Sequence, residues 1–209
     1  MTRILTIAAI IIAAVAGLRA QSDEELMQQA MERYKSVTTL TAPVTVVRHN
    51  TLLAADQKST GMFYFKKPSS ILITTDGGKD RLLMHDGKFT MVTDGKATTM
   101  TGKNEQLEAL KTMLQSFTSG EGTGDVALDD LADVDAERNG TKVTLTITPR
   151  VSDPKSRRKM LYRSFVVTLD TKAGALQSIR LNERGENYTQ YDFGRFTADA
   201  PVDDKVFAL

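Results

Sequence analysis

The chain has 209 residues, 27 lysines and arginines against 26 acids, nine methionines, and neither cysteine nor tryptophan. Without cysteine it has no disulfide, no thiolate metal site, no nucleophilic thiol and no cysteine to carry a lipid anchor. A balance this close to neutral excludes bulk electrostatic binding to nucleic acid or to an anionic membrane.

Residues 1–20 read as a cleavable export signal. Arg3 supplies the positive start, and Ile4 to Val15 is apolar apart from Thr6. Ala14-Val15-Ala16 fits a small-x-small cleavage site after Ala16, and Leu18-Arg19-Ala20 offers a second site after Ala20. The run is shorter than the ~20 apolar residues a spanning helix needs. The expectation is one soluble domain, residues 21–209, working outside the cytoplasm.

A helix is expected at 23–36, because Ser22 or Asp23 can cap it and Leu26, Met27, Ala30, Met31 and Tyr34 share a face. From residue 38 the pattern changes to short alternating runs, with strands expected at 39–50, 58–67, 69–75, 80–86, 88–93 and 96–101. Asp76-Gly77-Gly78, Asp86-Gly87 and Asp94-Gly95 punctuate them as tight turns. A second helix is expected at 104–117, where Leu107, Leu110, Met113, Leu114 and Phe117 form one stripe. A glycine-rich link follows at 119–124, then a short helical turn at 126–132. Strands return at 133–139, 141–149, 160–171, 175–184 and 187–196. Asn139-Gly140 makes a hairpin turn and Pro154 sits in a longer polar loop. The sum is an α+β, mainly antiparallel sheet of about ten strands, too large to stay flat, with two helices available to cover its concave face.

No catalytic constellation accompanies these elements. His49 and His85 are the only imidazoles, and each reads as an ordinary strand-end residue. Gly120, Gly122 and Gly124 follow a helix where a phosphate-binding loop would precede one. No metal or cofactor is expected, and no enzymatic activity. The basic run Lys155-Ser156-Arg157-Arg158-Lys159 reads as a solvated hairpin tip or as a docking patch for an acidic partner or lipid headgroups.

For the apolar strands, plain core packing is the first reading of the residues alone, and a binding face is the second. In Gly61-Met62-Phe63-Tyr64-Phe65-Lys66-Lys67, Phe63 and Phe65 share one face while Met62 and Tyr64 share the other. Residues 71–73 and 82–84 are also apolar on both faces. With few helices to cover them, one face can line a cavity; plain core packing is the other reading. The nine methionines suit a surface that accepts flexible alkyl chains.

Taken in order, these segments resemble the LolA family, periplasmic carriers of outer-membrane lipoproteins. The likeness runs from Val37-Thr38-Thr39-Leu40 through Gly61-Met62-Phe63-Tyr64-Phe65-Lys66-Lys67-Pro68 and Leu82-Leu83-Met84-His85-Asp86-Gly87-Lys88. It continues in Leu145-Thr146-Ile147-Thr148-Pro149-Arg150 and closes with Asp192-Phe193 and residues 203–207. The resemblance implies a LolA/LolB-like incomplete β-barrel lidded by helices over an apolar cavity. It implies a carrier that takes acylated lipoproteins from an inner-membrane ABC transporter, crosses the periplasm as a monomer, and delivers them to an outer-membrane acceptor. Carried over position by position, Phe63, Phe65, Ile71, Ile73 and Met91 would line the acyl-chain cavity. Leu110, Met113, Leu114 and Phe117 would form the underside of the lid helix. Lys67 would control the lid, where the best-known members carry arginine; lysine lacks that planar fork. Two alternatives remain open: the same fold carrying another lipid or apolar metabolite, and a periplasmic sensory or regulatory module that carries nothing.

Overall fold

The computed structural model describes residues 36–85, 88–100, 128–160 and 162–208. Twelve strands join in one antiparallel sheet: β1 (Thr39–His49), β2 (Gln57–Lys66), β3 (Ser70–Thr75), β4 (Asp80–His85), β5 (Lys88–Thr93), β6 (Lys96–Met100), β7 (Ala132–Asn139), β8 (Lys142–Pro149), β9 (Ser164–Asp170), β10 (Ala175–Asn182), β11 (Tyr188–Phe193) and β12 (Thr197–Ala198). Among the described residues two short α-helices interrupt them, α1 (Leu128–Leu131) and α2 (Pro154–Lys159). The spatial order is β6-β5-β4-β3-β2-β1-β11-β10-β9-β8-β7, with β12 beside the start of β1. Among the described residues β6 and β7 are unpaired edges, so the sheet is not closed. The helices expected at 23–36 and 104–117 lie outside the described residues, Ser36 excepted, as do Asp86-Gly87 and the lid positions Leu110, Met113, Leu114 and Phe117.

Local chemistry sets most of the turns. Asp94 and Gly95 both take positive φ, 51° and 75°, between the paired residues Thr93 and Lys96. Two positive φ values in a two-residue loop match the right-handed twist of the flanking strands. Pro43 would be unwelcome inside a fully paired strand. It lies where β1 changes partner, between Val44, which faces Phe193 of β11, and Thr41, which faces Thr197 of β12. Its carbonyl accepts the Gly194 N–H at 2.8 Å, so the missing donor faces that gap.

Gly61 is fixed by a close approach. A Cβ there would lie 1.7 Å from the Thr74 carbonyl oxygen, and only backbone movement could relieve it. Gly61→Ala should therefore lower stability by about 2–4 kcal/mol by forcing β2 away from β3. A urea unfolding curve with an unchanged midpoint would show that the two strands are not held this closely.

The sheet curls. Its inner face carries a continuous apolar cluster drawn from nearly every strand, including Leu40, Val44, Phe63, Phe65, Ile73, Met84, Leu145, Phe165, Val167 and Leu181. The Tyr162 hydroxyl, just before β9, donates to Met91 Sδ of β5 at 3.8 Å. Those strands stand seven places apart in the sheet order, so only strong curvature brings them together.

The outer face is covered by the chain end. Leu72 and Leu83 pack with Val202 and Phe207, and the His85 ring stacks on Phe207 at 5.8 Å. Lys66 Nζ anchors this segment, donating to the Val202 carbonyl at 3.2 Å and pairing with Asp204 at 2.6 Å. Truncating Phe207, which is buried, to Ala should cost about 3 kcal/mol or more. An unchanged thermal midpoint would contradict this packing.

The strand pattern follows the sequence closely, but the strand expected over 187–196 ends at Phe193 and a short strand, β12, follows it. The strand expected over 160–171 begins only at Ser164 and ends at Asp170. The basic run is not a hairpin tip: it forms α2, whose N-cap Asp153 accepts the Ser156 N–H at 2.7 Å and whose first residue is Pro154.

Candidate functional site

The inner face is the candidate site. Alternation along β2 turns Phe63 and Phe65 inward and Tyr64 outward; in β3 it turns Ile71 and Ile73 inward and Leu72 outward. The five residues expected to line a cavity therefore share one apolar cluster, Met91 at its partly buried margin. Phe65 is fully buried, and Phe63 is held edge-on by Phe193 at 5.3 Å and Phe196 at 5.8 Å. Lys67 is half-buried just past β2; its N–H donates to the Thr38 carbonyl at 2.9 Å. Nearby, the Thr38 N–H and hydroxyl both donate to Asp199. These bonds, helped by the Lys67 charge, hold the Asp199 carboxyl below its usual range.

One end of this face is polar. Arg48 continues the inward series Val44, Val46 of β1 and pairs with Asp80 of β4 at 2.9 Å. Asp80 is nearly buried and also accepts the Asp94 N–H at 3.1 Å. Two buried tyrosines complete the belt. Burial pushes the Tyr162 phenol up to about 12, with Glu183 adding to the effect, and burial raises Tyr191 further.

Beside this belt a cleft of about 550 Å³ opens between β5–β6 and the far side of the curl, lined by Met91, Thr93, Asp94, Lys96, Thr98, Tyr162 and Glu183. Met91 also borders a void of about 20 Å³ with Ile73, Leu82 and Tyr191. It thus links the apolar interior to the open cleft. The belt was not legible beforehand, because Arg48 and Asp80 meet only through the register of four strands. Among the described residues no cluster of three His, Asp or Glu could hold a metal. His49 lies at the end of β1 beside Asp56 at 2.7 Å, across the hairpin, and stacks on Tyr188.

An open antiparallel sheet curled around an apolar face is the frame on which the comparisons bear. The model of the outer membrane lipoprotein carrier protein LolA family matches residues 35–209. The chain belongs to the LolA family. No curated protein sequence matches it. Among solved structures it is similar to a DUF1329 family protein from Desulfovibrio piger, at 11% identity and a TM-score of 0.45 over 88% of this chain and 96% of that one. A LolA superfamily protein from Nitrosomonas europaea is similar at 10% identity and a TM-score of 0.42, over 89% and 97%. The Mycobacterium tuberculosis lipoprotein LppX follows at 12% identity and a TM-score of 0.37, over 87% and 99%. The mostly antiparallel sheet, unclosed among the described residues, is in keeping with a family whose members are binding or carrier proteins.

Proposed function

We propose that this protein is a periplasmic carrier that binds the acyl chains of lipoproteins against the inner face and moves them from the inner to the outer membrane. The observation that carries the reading is the continuous apolar face of a sheet whose edges β6 and β7 do not pair. Such a sheet can widen at its seam to admit alkyl chains without breaking any strand ladder. Burying one methylene gains about 0.8 kcal/mol, so two or three acyl chains supply ample binding energy. The same energy makes spontaneous release slow, which requires an acceptor that binds the chains more tightly.

Phe63, Phe65, Ile71 and Ile73 form the floor of the site in this reading, and Met91 stands at its mouth. Lys67 acts at the opposite end, where Asp199 and Thr38 gather. The inner-membrane ABC transporter would load a monomeric carrier, and an outer-membrane acceptor would empty it. No step calls for catalysis, a metal or a cofactor. Residues 1–20, read as an export signal, support a periplasmic cycle.

Extraction of protein purified from the periplasm, followed by lipid mass spectrometry, tests the reading. Acylated peptides bound one per chain are expected. Recovery of a free lipid or apolar metabolite instead would move the same fold to another load, and a ligand-free protein would sink the carrier reading.

A further inference from the structure

A second cleft, of about 1130 Å³, shares no lining residue with the inner cluster; it is bordered by residues 148–160, Arg163, the α1–β7 residues Asp130 and Asp133, and Arg184 of the β10–β11 turn. Its walls are tied down by backbone bonds: the Arg150 N–H donates to the Leu131 carbonyl at 2.8 Å and the Arg163 N–H to the Asn182 carbonyl at 2.6 Å. Pro149 and Val151, both buried, and the half-buried Met160 give it an apolar floor.

Its rim is basic. Among the described residues, Arg150, Arg157, Arg158, Arg163 and Arg184 line it against two acids, Asp130 and Asp133. Arg150 is paired with Asp133 at 2.6 Å, and Arg157 donates to the Val151 carbonyl at 3.0 Å. The side chains of Arg158, Arg163 and Arg184 have no hydrogen-bond or ion-pair partner among the described residues. They come from three separate segments, α2, the approach to β9 and the β10–β11 turn. Three guanidinium groups from three segments line one cleft with their forks uncommitted, and arginine binds phosphate groups through paired N–H donors. A free anion would use the rim and leave the apolar floor wet.

We propose that this cleft binds the phosphate-bearing head of an anionic phospholipid. Arg158, Arg163 and Arg184 hold the phosphate, and the glycerol and first methylenes lie on Pro149, Val151 and Met160. The site shares no lining residue with the inner cluster and does not depend on the nature of the cargo. A neutral protein thereby gains a local affinity for anionic lipid that its net charge would not supply.

Calorimetric titration of the full mature chain with monomeric dihexanoyl phosphatidylglycerol tests this, with dihexanoylglycerol and inorganic phosphate as the partial ligands. The phospholipid should bind at one site, and each partial ligand at least about tenfold more weakly. Arg158→Ser, Arg163→Ser and Arg184→Ser are exposed changes that leave the fold intact, and each should weaken phospholipid binding about tenfold, the value of a charged hydrogen bond. Binding should survive in Met91→Glu, which alters only the inner face. Loss in Met91→Glu with no loss in the arginine variants would assign the lipid to the inner face and overturn the proposal. Equal affinity for inorganic phosphate, or for the phosphate-free diglyceride, would overturn it as well.

Discussion

Phe65→Glu will not fold, whereas Met91→Glu will fold and fail to retain an acyl cargo. Phe65 has no exposed surface and packs in the apolar cluster between Leu40 of β1 and Ile71 of β3. Truncating a buried phenylalanine costs about 3–5 kcal/mol. A carboxyl group without a partner adds several more, whether it stays charged or takes up a proton. Their sum reaches the whole stability of an ordinary domain, about 5–15 kcal/mol. Met91 is different because it is only partly buried and borders the open cleft next to Tyr162 and Lys96. A glutamate there reaches water, so the sheet persists while a charge stands in the path of an alkyl chain. Circular dichroism and a lipopeptide-binding assay on the two variants separate these effects. A folded Phe65→Glu protein, or a Met91→Glu protein that binds normally, would contradict the division between floor and mouth.

Alkaline pH will unfold the protein well before its surface charge alone would require. Tyr162 and Tyr191 are buried, and both phenols have folded-state values above the ordinary 10. Above pH 10 the unfolded chain releases both protons while the folded chain keeps them. Stability therefore falls as pH rises, by about 1.4 kcal/mol per pH unit for each tyrosine. Below pH 10 the contribution is fully present. For Tyr162 the loss continues to about 12, where its folded form also ionises. Together the pair should remove about 4 kcal/mol between pH 10 and pH 12. Denaturant midpoints across that interval check the slope, and Tyr162→Phe should reduce it by half. A flat profile would mean that these hydroxyls are solvated in the folded protein.

Why was the sheet legible in the sequence while much of the site was not? Strand positions follow from two local signals, alternation and turns of Asp-Gly or Asn-Gly, which need no knowledge of distant partners. Alternation also assigns faces, which is why Phe63 and Phe65 fall inward and Tyr64 outward. The polar belt depends on long-range register. Arg48 and Asp80 are 32 residues apart and become partners only through β2 and β3. Nor does any local pattern say that Val202 and Phe207 fold back over Leu72 and Leu83.

The basic run was misplaced for a different reason. Its charge suggests a solvated tip, but Asp153-Pro154 is a helix start written in the sequence, an acceptor at the N-cap followed by a residue with helical φ. That signal was present and outranked the charge. What it could not reveal is that Arg163 and Arg184 stand on the same cleft as Arg158. They are brought there by the ends of β9 and β10, two strands joined along most of their length.

The central claim is that acyl chains lie on the inner face of the open sheet. A synthetic lipopeptide with a photoactivatable group midway along its acyl chain tests this most directly, using peptide mapping after irradiation of the loaded protein. Crosslinks are predicted at Phe63, Ile73 and Met91 and on the facing side of the curl at Val167 or Tyr191, all members of the inner cluster. Crosslinks concentrated at Leu72, Leu83 or Val206 of the outer cluster, or none in a protein that holds the lipopeptide, would contradict the account.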